Sequence, residues 1–120
     1  VQSVTKTAAS ESDVIYLPTD NTVASNTGII KNVCLPAKVP VIAGEEGICA
    51  GCGVATLSIS YYDLGYTTGE MAYDILVNHA NPATMKVKFA PKYTKEYNPS
   101  VCKAMGITLP SGFKAIKASS

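Results

Sequence analysis

Asp13-Val14-Ile15-Tyr16-Leu17-Pro18-Thr19-Asp20-Asn21-Thr22 runs an apolar, β-branched and aromatic segment into a proline and then into a cluster of small polar side chains. A short apolar run bounded by turn residues reads as a buried strand, and the polar cluster before a new apolar periodicity reads as a helix start. Strand, turn and helix start are the opening of a βαβ unit. In open α/β sheets ligands bind beyond the carboxyl ends of the strands, so Thr19, Asp20 and Asn21 stand where a site is expected.

Working outward, Val23, Thr27, Ile30, Cys34 and Ala37 recur at helical spacing after Asn21, with Asp20 or Asn21 as N-cap and Pro36 and Pro40 as terminators. Val39 to Ala43 is a second apolar run, stopped by Gly44-Glu45-Glu46-Gly47. Strand, helix, strand implies parallel strands and a right-handed crossover, which brings Glu45 and Glu46 to the same sheet edge as Asp20. Ile48 to Gly53 reads as a loop or a short helix. Val54 to Ser60 alternates in period two and reads as a third strand. Tyr61 to His79 reads as a helix, with Leu64, Met71, Ala72, Ile75 and Leu76 on one face, and Asn81-Pro82 closes it. Met85 to Ala90 reads as a fourth strand. Asn98-Pro99 opens a brief helix that Gly106 ends, and the chain from Leu109 onward reads as a surface tail. Upstream, Val1, Val4 and Ala8 read as the end of a helix. Because the chain starts at Val1 and not Met, it is read as a fragment with a segment expected before it. The fold class that follows is α/β, a parallel open sheet with flanking helices.

Composition narrows the function. A length of 120 residues suits one small domain or one lobe, and 47% apolar with 16% charged residues fits a globular chain. No apolar run approaches the ~20 residues of a membrane span. The net charge is +1 and all 10 basic residues are Lys, so the bidentate guanidinium that reads phosphates and bases is lacking and nucleic acid is not an expected partner. Cys34, Cys49, Cys52 and Cys102 are too few and too scattered for a disulfide scaffold. Phosphate-cradling glycine motifs, a GxSxG and an HExxH are absent, and His79 is the single histidine, so neither catalysis nor a cofactor is implied.

Four blocks then occur in a specific order: Asp13 to Val23; Val39-Pro40-Val41-Ile42-Ala43-Gly44-Glu45-Glu46-Gly47; Ser60-Tyr61-Tyr62-Asp63-Leu64-Gly65 with Thr68-Gly69-Glu70-Met71-Ala72; and Met105-Gly106-Ile107-Thr108-Leu109-Pro110. Together they resemble the C-terminal part of the ABC transporter substrate-binding proteins that include tryptophan- and tyrosine-binding lipoproteins of Gram-positive bacteria, with a periplasmic-binding-protein type I fold. The resemblance implies a two-lobed protein that closes on a small solute, a free amino acid, aromatic ones included, and delivers it to a membrane permease and its ATPase. It also implies an extracytoplasmic location and a lipid anchor outside this chain. It assigns 1–60 to the C-terminal lobe, 61–84 to a helix packing on the other lobe, and 85–120 to a return strand, short helix and tail. Without that other lobe, the Tyr61 to His79 helix would be exposed or would self-associate with a second copy. The effector lobe of a transcriptional regulator shares this fold and is the alternative reading.

Each candidate residue carries two readings. Asp20 pairs with a ligand ammonium while Asn21, Thr19 or the free backbone amides at the helix start hold its carboxylate, or the three are a cap and turn. One of Glu45 and Glu46 faces the cleft, or both are solvated turn residues. Either Tyr61 or Tyr62, Tyr61 first, lines the cleft and stacks on an aromatic solute, or the pair anchors the helix to its sheet. Cys49-Ala50-Gly51-Cys52 is a CxxC without the spacing of a zinc site or the context of a thioredoxin-like unit, so its thiols read as incidental, with a Cys49–Cys52 disulfide as the exception. No metal ligand set is expected.

Overall fold

The computed structural model describes residues 1–117. The chain divides into two compact units, Val1–Ser58 with Thr94–Ser120, and Ile59–Tyr93. In the first, α1 (Gln2–Glu11) leads into β1 (Ile15–Leu17), α2 (Asn21–Ala24), α3 (Thr27–Ala37), β2 (Val41–Ala43), α4 (Glu46–Cys52) and β3 (Ala55–Ile59). After the second unit the chain adds β4 (Tyr93–Tyr97), α6 (Pro99–Met105) and β5 (Lys114–Ala115). The strands form one five-stranded sheet in the order β1-β2-β3-β4-β5.

β1, β2 and β3 are parallel, with Leu17 beside Ala43 and Ala43 beside Thr56. This is the parallel α/β core that the strand-helix-strand pattern implies, and it brings the carboxyl ends of β1 and β2 to one edge. β4 and β5 are parallel to each other, pairing Glu96 with Lys114. The Asn98 amide, just past β4, donates to the Val54 carbonyl, just before β3, at 3.0 Å. These two strands therefore run in opposite directions, and counting back from that bond sets Glu96 across from Thr56.

Two apolar clusters hold the unit. The larger gathers Ile30, Cys34, Val41, Ala43, Ile48, Cys49, Cys52 and Ile116, between α3, α4 and the sheet. The smaller gathers Val54, Ala55, Val101 and Cys102 under α6, with Met105, Ile107, Leu109 and Phe113 packed against it. Asn98 joins the two. Its Oδ1 caps α6 by accepting the Ser100 and Val101 amides, and its Nδ2 donates to the Cys49 and Ala50 carbonyls at 3.1 and 2.8 Å.

Several local expectations are corrected. The helix expected from Asn21 breaks after Ala24, where Asn26 turns its Nδ2 back to the Thr22 carbonyl at 2.7 Å. Pro36 sits inside the last turn of α3, and the terminator is Lys38, left-handed at φ 58, whose amide reaches back to the last carbonyls of the helix. The Ile48 to Gly53 stretch is helical, as α4. The strand expected at Met85 to Ala90 does not form. Its alternation is genuine, but Val87 and Phe89 stay 79% and 78% exposed without a ladder, while Tyr93–Tyr97 takes the place beside β3. The tail after Leu109 is not mere surface, because Lys114–Ala115 pairs with β4 and Ile116 enters the larger cluster.

In the second unit, α5 (Tyr61–Leu76) is capped by Ser60, whose Oγ accepts the Asp63 amide at 3.1 Å. The helix ends at Leu76, short of His79, which adopts φ 56. It buries no residue, and Tyr62 and Leu76 are 80% and 76% exposed. A 3-10 turn, Pro82–Thr84, follows.

Candidate functional site

The carboxyl ends of β1 and β2 meet through a glycine. The Gly44 amide donates to the Leu17 carbonyl at 2.8 Å, and a Cβ on Gly44 would lie 2.9 Å from the Thr19 nitrogen and 3.1 Å from its Oγ1. Only a residue without a side chain lets the two loops approach this closely. Thr19, Asp20 and Asn21 are thereby set beside Glu45 and Glu46, all five on the first unit.

Their side chains are used differently. Thr19, Asp20 and Asn21 are exposed, and Asp20 caps α2 by accepting the Val23 amide through Oδ1 at 2.9 Å. Its carboxylate still faces solvent, so cap and ligand partner are compatible roles. Glu45 is 9% exposed, and its two oxygens accept the Gly47 amide, at 2.8 Å, and the Ile48 amide. That carboxylate is committed to starting α4. Glu46 is exposed, and its amide is held by the Ser58 hydroxyl of β3 at 3.1 Å, which leaves the carboxylate at the edge. Tyr61 opens α5 in the second unit, 57% exposed.

The sequence reading passed over a polar layer one step beneath this edge. Thr56, level with the last residues of β1 and β2, is 2% exposed, and its Oγ1 has no hydrogen-bond partner among the described residues. Across from it, Glu96 is 8% exposed. Burial raises the pKa of its carboxyl above the ordinary carboxylate value, the charge of Glu46 pushes the same way, and Lys114 on β5 pulls back. The period-two pattern of Ala55-Thr56-Leu57-Ser58 does mark a polar face on β3. Glu96 gives no such signal until β4 is placed correctly.

All four cysteines are free and buried. Burial first, and the neighbouring thiols and carboxylates after it, push Cys49 up to about 12, and burial takes Cys52 to about 11. Both stay protonated at neutral pH, which removes the thiolate that a nucleophile requires. Among the described residues no group of three or more His, Cys, Asp or Glu side chains is placed to hold a metal ion, and no helix is long and apolar enough to cross a membrane.

Comparison with known proteins agrees with this architecture. A tyrosine-binding protein of Clostridioides difficile (strain R20291) is 42% identical over 64 residues, 53% of this chain and 19% of that protein. A solved conserved domain protein from Vibrio cholerae superposes with a TM-score of 0.84 at 30% identity, over 97% of this chain and 40% of that one. An L-Trp complex from Streptococcus pneumonia gives 0.83 at 27% identity, over 97% of this chain and 41% of that one. A ligand-free, open substrate-binding protein with adhesive properties from Clostridium difficile gives 0.74 at 34% identity, over 98% of this chain and 40% of that one. The chain thus spans about 40% of the length of the solved relatives it matches, one lobe of a substrate-binding fold. The model of the ABC transporter substrate binding protein family matches residues 1–118, and the chain belongs to that family.

Proposed function

We propose that this chain supplies one wall of a cleft that captures a free amino acid, aromatic ones included, for an ABC import system. The observation that carries the reading is the shared edge at Gly44, which gathers Asp20 and Glu46 with free carboxylate surface beside the hydroxyl of Thr19 and the amide of Asn21. Two carboxylates suit an ammonium, and the neutral donors suit the α-carboxylate beside it. The relatives that bind tyrosine and tryptophan support an amino-acid solute. In this reading Glu45 serves as scaffold, α5 packs on the other lobe, and closure of the two lobes buries the ligand. The whole protein works outside the cytoplasmic membrane, held by a lipid anchor, and hands its solute to a permease. Family membership favours this over the effector lobe of a transcriptional regulator.

The test is calorimetric titration of the full-length protein against an amino-acid panel. Asp20→Asn keeps a capping side chain and removes the charge, so it separates binding from folding, where Asp20→Ala would confuse them. Affinity is expected to fall at least tenfold in Asp20→Asn and in Glu46→Gln with stability preserved. Unchanged affinity in both variants would remove this edge from the site.

A further inference from the structure

Beneath the acidic edge lies a carboxyl that the capture reading does not use. Glu96 is buried to 8% exposure, and the strand register places it across from Thr56, whose Oγ1 is buried and unpartnered. Thr56 is level with Ala43, and Ala43 with Leu17, the residues at which β2 and β1 stop. The pair therefore forms the floor under Thr19, Gly44 and Glu46. Two charged groups act on Glu96 from the elements around it, Glu46 from α4 and Lys114 from β5. The thiol of Cys49, also on α4, lies within the reach of its charge but stays neutral. Glu45 keeps both oxygens on the α4 amides.

We propose that Glu96 is a positioning residue coupled to solute capture through its proton: an ammonium seated on the edge above it drives that proton into solvent, and the resulting carboxylate strengthens the hold on the ammonium. The inference rests on the reading of the edge as an ammonium site. Its physical basis is the geometry. A buried carboxyl beside Glu46 resists ionising because the like charge and the lack of water both oppose it. A cation at Glu46 cancels the first of these and adds an attraction of its own. Thr56, with a free hydroxyl directly across, is placed to donate to the carboxylate once it forms. Capture and deprotonation are then linked, each favouring the other by the same factor.

The experiment is titration of the full-length protein with its amino acid in two buffers of different ionisation enthalpy, repeated from pH 5 to pH 7, with Glu96→Gln alongside. Wild type is expected to release part of a proton on binding and to gain affinity with pH, by up to about tenfold per pH unit where Glu96 titrates. Glu96→Gln is expected to release less and to show a flattened profile. Equal proton release in the two proteins would overturn the coupling while leaving the binding site intact. Failure of every amino acid to bind would instead overturn the capture reading and the coupling with it. Should Glu96→Gln not fold, Lys114→Met serves in its place. It removes the cation that favours ionisation, so the affinity profile should move to higher pH, and an unmoved profile would overturn the proposal.

Discussion

At Glu45 both carboxylate oxygens accept amides of α4, while at Glu46 only the backbone is engaged, by Ser58. Removing the first should therefore cost fold stability and removing the second should not. Glu45→Ala is expected to lower the unfolding free energy by about 1–2 kcal/mol, and Glu46→Gln to stay within about 0.5 kcal/mol, both read from urea denaturation. Sequence named this pair but could not order it, since which of two adjacent carboxylates becomes the cap depends on where α4 begins. Asp20 was legible as a cap because polar residues before an apolar periodicity have few other uses. Glu96 was not, because the strand that carries it, Tyr93–Tyr97, stands where the sequence placed a loop, the alternation at Met85 to Ala90 having suggested the strand instead. Burial binds its proton more tightly in the folded chain than in the unfolded one, where the ordinary value is 4.5. Its contribution to stability is whole below that value and is lost as pH rises through the raised one. The urea midpoint of Glu96→Gln should therefore gain on wild type as pH rises from about 4.5 toward neutral, and parallel curves would contradict the burial argument.

Elements with a local cause were read correctly and elements with a remote cause were not. β1, β2 and β3 follow from short apolar runs between turn residues, and α6 from Asn98-Pro99 at one end and Gly106 at the other, where φ is 70. The alternation at Met85 to Ala90 misled because a strand also needs a neighbour with free backbone groups, and β3 pairs with Tyr93–Tyr97 instead. β5 was missed for the converse reason: two residues carry no periodicity, and only the ladder to Glu96 and Tyr97 makes them a strand. Asn98 is the joint where these elements meet, since one side chain caps α6 and holds two carbonyls of α4. Asn98→Ala should cost about 2–4 kcal/mol, a cap plus unpaired buried carbonyls, and should loosen α4 together with α6. Amide hydrogen exchange would show this as joint loss of protection, and loss confined to α6 would deny the clamp.

For the whole molecule, the parallel core and the shared edge were legible, whereas the partner of α5 was not, because an amphipathic pattern states that a face needs covering without stating by what. The helix buries nothing, and Tyr62, Tyr66, Tyr73 and Leu76 are exposed. The isolated 120-residue chain is therefore expected to self-associate through α5, and Tyr62→Glu with Leu76→Glu to weaken this, as sedimentation equilibrium would report. A monomer at all concentrations would refute it. The four buried thiols turn the first unit into its own timekeeper. A thiol reagent can reach them only during an opening, so each cysteine's modification rate, divided by that of the unfolded chain, measures how often its surroundings come apart. Cys34, Cys49 and Cys52 sample the cluster under α4, and Cys102 the one under α6. Equal ratios at all four would mean that the two clusters open as one event, and a faster Cys102 would mean that the α6 side breathes alone, ahead of the floor that carries Thr56 and Glu96.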